Sequence, residues 1–262
     1  MLTTHPARCP NCSAELSGEY CSNCGQRRID PEDLSFRHSL RQMVDDAGRL
    51  RNKFKTMRSL RALVVPGFLT AEYLAGHRDR YLGPLKLYFV CAAIFFLAAP
   101  WAGFHLASLM AGDPSGELTR LVQTRMAELN MDPTLFAMRF DFRVKTVYTL
   151  SLTISVIASA ILLLILYRKK PFGVHLILAL HCVAVLYLIT MMTGMAARAF
   201  GDSPALWVGL GAIAVYQVLA LRRVYSDPIP STLLKGGLLF LLTLVLNNLV
   251  SRGAILLTLR LV

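Results

Sequence analysis

The sequence predicts an all-α polytopic membrane protein, and three observations carry that prediction. Apolar residues make up 55% of the 262 positions, too many for an ordinary soluble domain. Five stretches each supply about 20 mainly apolar residues, enough to cross a hydrocarbon layer about 30 Å thick at 1.5 Å per residue. Two Cys-x-x-Cys pairs, CPNC and CSNC, stand ahead of all five.

The cysteine pairs come first in the chain. Cys9 and Cys12 are followed by Cys21 and Cys24, and two tight turns at this spacing bring four sulfurs to one point. That donor set suits tetrahedral Zn2+ with Zn–S distances of about 2.3 Å, and four thiolates leave no open position for water, so the ion is structural. Gly25 permits the backbone bend that aims amides at the thiolates. Two disulfides are the competing reading, disfavoured in a reducing compartment. A redox pair would want a βαβ context that the sequence lacks. So small a module has almost no apolar core, so the metal supplies its folding free energy, and a docking role follows. Residues 1–28 therefore read as a zinc ribbon. Nucleic-acid binding is not expected: Arg27 and Arg28 are the only nearby basic pair and Tyr20 the only aromatic.

Residues 29–81 read as basic amphipathic juxtamembrane helices. Phe36, Leu40, Met43, Ala47, Leu50, Phe54 and Met57 alternate spacings of four and three, which makes one helical stripe. Asp30-Pro31-Glu32-Asp33 has the cap, proline and acids of a helix start. A basic amphipathic helix beside a membrane lies in the interface. The same repeat also suits a coiled coil, which Phe and Met specify poorly. Pro66-Gly67 then breaks the helical run.

Residues 82–262 form the expected transmembrane domain, with spans near Leu82–Phe104, Val147–Tyr167, Val174–Met195, Ala205–Leu221 and Leu233–Val250. An external loop near 105–146 carries turn signals at Gly112-Asp113-Pro114 and a helix start at Asp132-Pro133. The tail GAILLTLRLV after Arg252 either extends the last helix or lies on the surface. With no cleavable signal peptide in view, the first span serves as the targeting signal. Placing the N-terminus inside puts Arg168, Lys169, Lys170, Arg222, Arg223 and Lys235 on the cytoplasmic side with the basic head. Lys and Arg then favour the inside about twofold, so the N-terminus is cytoplasmic. The net charge of +12 is accounted for by this bias and by attraction to anionic headgroups.

Ionisable groups inside spans are functional candidates because they are costly there. His175, His181, Cys182, Gln217 and Asn247 form the possible intramembrane polar site, with Asn248 beside them; no Asp or Glu falls within a span. Interhelical hydrogen bonding is the plainer use of such residues, and Met191, Met192 and Met195 read as packing filler. The chain contains no G-x-S-x-G, H-E-x-x-H or P-loop motif, so hydrolase and nucleotide-driven readings have no anchor.

Three stretches, CPNC…CSNCGQ, PGFLTAEYLAGHRDRYLGPLKLYFVCAAIFFL and HLILALHCVAVLYL, resemble a bacterial membrane-protein family known as domain of unknown function 3667. The resemblance implies a multi-pass protein of the bacterial inner (cytoplasmic) membrane with an N-terminal zinc ribbon and no established activity. Its pattern emphasises Pro66, Gly67, Tyr73, Gly76, Arg78, Tyr81, Pro84, His175 and His181. Near the headgroups, Arg78, Arg80 and Tyr81 are a possible lipid or phosphate contact.

The expected function is therefore a non-enzymatic adaptor or sensor, bound to the lipid bilayer, that uses a cytoplasmic zinc ribbon to dock a protein partner. The alternatives are a small-molecule or lipid transporter with a pathway near His175 and His181, and a histidine-dependent membrane enzyme.

Overall fold

The computed structural model describes residues 8–28, 53–102, 106, 110 and 115–262. Among them run eight helices: α1 (Lys53–Leu63), α2 (Phe68–Leu74), α3 (Pro84–Ala98), α4 (Glu117–Leu129), α5 (Pro133–Leu166), α6 (Phe172–Phe200), α7 (Asp202–Tyr225) and α8 (Ile229–Leu261). The expected helix start at Asp30-Pro31, the stripe from Phe36 to Leu50 and the turn at Gly112-Asp113-Pro114 lie outside the described residues.

Four helices, α5 to α8, are long and apolar enough to cross a membrane. The first of the five expected spans is instead a shorter apolar helix, α3, of 15 residues and about 22 Å. It starts where Pro84 takes the first helical position. Two residues past its end stands Pro100, which has no N–H to continue the helical ladder.

The other helices run further than hydropathy alone marks, because caps rather than apolarity set their ends. α5 begins at the predicted Asp132-Pro133, where the Asp132 carboxylate accepts from the Thr134 and Leu135 amides at 2.8 and 3.1 Å. It then continues unbroken to Leu166, joining part of the expected external loop to the second span. Pro171 and Pro228 precede α6 and α8. Helix α8 passes through Arg252 to Leu261, so the tail extends the last helix.

Helix α6 is the hub. Of its membrane-length stretch 83% is buried, against 33% in α5 and α7 and 17% in α8, as befits a helix apolar on every face. It packs on α3, α5 and α7, while α8 closes the bundle against α5 and α7. Leu150, Ile154, Ile157 and Ile161 on α5, with Leu234, Leu238, Leu241 and Val245 on α8, point outward and give the bundle its lipid-compatible face. At one end a small second core joins Val122 of α4, Phe136 and Phe140 of α5 and Leu259 of α8.

The opposite end carries the ribbon and the Pro66-Gly67 break. Gly67 has φ of 69°, and a Cβ there would lie 2.9 Å from the Ala220 backbone, so α7 rests directly on this glycine. The Tyr216 hydroxyl and the Arg223 guanidinium donate to the Leu63 and Pro66 carbonyls, each at 2.9 Å, fastening the break to α7. Leu69, Thr70 and Tyr73 of α2 are buried, so this helix packs one face into the bundle. Helix α1 keeps Phe54 and Met57 exposed, and Val64 just past its end is exposed as well.

Candidate metal centre

The ribbon is two copies of one turn. In each, the amide four residues after the first cysteine donates back to that cysteine's carbonyl: Ser13 to Cys9 and Gly25 to Cys21, both at 2.8 Å. Both closing residues are left-handed, with φ of 62° at Ser13 and 75° at Gly25. The cysteine amides then donate outward, Cys9 to Ala14 at 2.7 Å and Cys21 to Gln26 at 2.9 Å. Antiparallel bridges, Arg8 with Glu15 and Tyr20 with Arg27, complete the two arms.

These turns bring Cys9, Cys12, Cys21 and Cys24 together, their four sulfurs lying within 4.8 Å of one another. Sγ of Cys9 is 3.7 Å from that of Cys24, and Sγ of Cys12 is 3.5 Å from that of Cys21. All four are free thiols, and a disulfide would bring sulfurs to about 2.05 Å. A tetrahedron with metal–sulfur bonds of about 2.3 Å has edges near 3.8 Å, so the four cysteines fit one metal ion. The Ala14 amide beside Cys12 pulls its thiol down to about 6. Burial pushes the Cys24 thiol up to about 11. Cys91 and Cys182 lie apart, in the bundle.

The ribbon is docked rather than loose. Gln26, two residues past the last ligand, is 5% exposed. Its amide nitrogen donates to the Gly76 carbonyl at 2.7 Å, and its oxygen accepts from the Asp79 amide at 3.0 Å. From the other side Ser59 of α1 accepts from the Leu82 amide at 2.8 Å, and Lys55 bonds the Asp79 carboxylate at 2.8 Å. The chain between α2 and α3 is thus held from both sides. Gln26 stands in the CSNCGQ motif, and glutamine's paired donor and acceptor were the signal that it could grip backbone.

The structure gives the remaining candidates separate partners. The Arg78 guanidinium lies over the Tyr73 ring at 4.8 Å, Tyr81 packs edge-on against Phe68, and Arg80 approaches Glu72 at 3.9 Å. His181, 3% exposed, meets the Thr70 hydroxyl at 2.8 Å. His175 contacts the Tyr225 hydroxyl at 2.6 Å through Nδ1 and the Lys170 carbonyl at 3.2 Å through Nε2. The Tyr225 ring stacks on Tyr167 at 3.6 Å, and Lys235 sits over Tyr167 at 4.0 Å. Gln217 donates to Thr243 at 2.8 Å, and Asn247 accepts from Tyr148 at 2.7 Å. Cys182 and Gln217 line one small gap, together with Ser155, Ser159 and Thr243. Sequence inspection passed over the tyrosines: Tyr88 contacts Thr153 at 2.9 Å and Tyr187 at 3.3 Å, and Tyr187 donates to the Thr149 carbonyl at 2.9 Å.

Fold and site together define a multi-span helical membrane protein with a four-cysteine centre docked at one end of its bundle. Residues 54–96 match the model of a family described as protein of unknown function (DUF3667). The matched stretch holds α2, the docking turn and most of α1 and α3, while the cysteine pairs and the two α6 histidines lie outside it. Comparison with curated proteins and with solved structures found no match.

Proposed function

We propose that this protein is a non-enzymatic membrane adaptor or sensor in which a cytoplasmic ribbon, loaded with structural Zn2+, sets the order of the turn at 76–80 and presents it to a protein partner. The observation that carries this reading is the paired grip of Gln26 on Gly76 and Asp79. Metal binding organises the loop on which Gln26 stands, so the ion and the turn are coupled by two hydrogen bonds. A full set of four thiolates favours a structural ion over a catalytic one. His175, His181, Gln217 and Asn247 each meet a different partner on another helix, which supports an adaptor over a pathway or reaction centred on His175 and His181. Arg168, Lys169 and Lys170 in the α5–α6 connection and Arg222 and Arg223 in the last turn of α7 lie at the ribbon end, which supports a cytoplasmic ribbon.

The test is metal content and amide exchange of the purified full-length protein, wild type against Cys9→Ser/Cys12→Ser. The expected result is about one zinc per chain, lost in the double variant, with faster exchange at the Asp79 amide after chelation. Zinc retained by the variant would remove the site, and exchange indifferent to chelation would remove the sensor. Partner capture from the cytoplasmic side should survive His175→Ala/His181→Ala and disappear in the cysteine variant; the reverse pattern sinks the adaptor reading.

A further inference from the structure

A cleft of about 330 Å3 opens between the ribbon, α1 and the docking turn, lined by Asn11, Phe54, Lys55, Arg58, Asp79 and Arg80. That volume falls at the low end of small-ligand pockets, which run from about 300 Å3. Three cations face one carboxylate, and that carboxylate is already neutralised by Lys55 at 2.8 Å. Arg58 is exposed and has no carboxylate partner among the described residues, and Arg80 has only the 3.9 Å approach to Glu72. The cleft therefore keeps an excess of two guanidiniums, the groups best shaped to hold phosphate oxygens in pairs.

The surroundings identify the source of the phosphate. Phe54, on the cleft wall, is 84% exposed, and Met57 continues its side of α1 at 54%. A spacing of three places these two apolar residues on one helical face, with Arg58 and Arg61 beside it. Basic side chains flanking an exposed apolar stripe are the pattern of a helix seated at the membrane interface. A soluble phosphate would use the guanidiniums and leave that stripe without a role.

The geometry points to a binding site for the phosphate headgroup of an anionic phospholipid in this cleft, with Arg58 and Arg80 on the phosphate and Phe54 and Met57 against the acyl chains. The site stands apart from partner sensing, since its ligand comes from the bilayer. Of the grouping Arg78, Arg80 and Tyr81, Arg80 lines the cleft.

Native mass spectrometry of the full-length protein, titrated with phosphatidylglycerol or phosphatidylcholine, tests it. Arg58→Ala/Arg80→Ala should weaken the tightest phosphatidylglycerol site roughly thirtyfold, on the order expected for two basic residues at a membrane surface, and leave phosphatidylcholine unchanged. Arg168→Ala/Lys169→Ala removes the same charge outside the cleft and should leave that tightest site within about threefold of wild type. Equal losses in the two variants would reduce the effect to general surface charge and overturn the site. Inorganic phosphate or glycerol phosphate competing at the lipid's own concentration would overturn the bilayer as the source. Both substituted arginines are exposed, and an unchanged melting temperature secures the comparison.

Discussion

The Thr70 hydroxyl and His181 Nδ1 lie 2.8 Å apart in the buried interior, joining positions 111 residues apart in the chain. This bond pins α2 to the central helix. Thr70→Val keeps the shape and leaves the imidazole without its partner, which costs about 1–3 kcal/mol. Thr70→Val/His181→Leu removes both polar groups and should recover part of the loss. Thermal unfolding in detergent of the single and double variants checks this, and a double variant worse than the sum would contradict it.

Gly67→Ala should be the most damaging small substitution in the 54–96 stretch. The residue is left-handed, and the added Cβ would meet Cα and O of Ala220 at 2.9 Å. The expected loss is at least about 2 kcal/mol. Because the clash is with backbone, Ala220→Gly should not rescue it, and melting curves of the pair give the answer.

Bound metal should shield the four ribbon cysteines from alkylating agents. Chelation should expose Cys9, Cys12, Cys21 and Cys24 together, because the turns that hold them depend on the ion, whereas Cys91, buried in the bundle, should stay unmodified in detergent. Peptide mass mapping before and after chelation checks this, and ready modification of the four without chelation would contradict it.

Lys235 grips Asp227 at 2.6 Å in the link between α7 and α8. The hydrogen bond from Lys235 holds the Asp227 carboxyl below the usual carboxylate range. A lowered value means the stabilisation is present above the unfolded value of about 3.9 and fades as pH falls through the folded one. Asp227→Asn should therefore lower stability at pH 7, by about 1 kcal/mol or less. The difference from wild type should close below about pH 4, which denaturation curves at the two pH values would register.

Much of this architecture was legible in the residues. Apolar runs located the four long helices, Asp132-Pro133 fixed the start of α5 and Pro84 that of α3. Four cysteines at a metal spacing do come together. Hydropathy alone neither joined the helix start at Asp132-Pro133 to the second span nor decided whether the tail after Arg252 extends the last helix. Nor could it tell that α3 stops at Ala98, because apolar residues continue past the point where Pro100 interrupts the ladder. The polar residues of the spans were visible one by one, but their pairings join positions such as Thr70 with His181 and Tyr148 with Asn247. Those depend on helix rotation and depth, which no local pattern encodes. Ser13, a non-glycine residue with positive φ in the place Gly25 fills in the second turn, had no composition cue at all.

Gln26 gives its carbonyl to Cys21 and its side chain to Gly76 and Asp79, so one residue belongs to two equilibria. Thermodynamic linkage then requires that the factor by which docking raises affinity for the ion equal the factor by which the ion favours docking. A synthetic peptide of residues 8–28 should hold its metal more weakly than the whole chain. The ratio of the two dissociation constants is the factor by which the ion favours docking, obtained from a spectrophotometric titration without any assay of function.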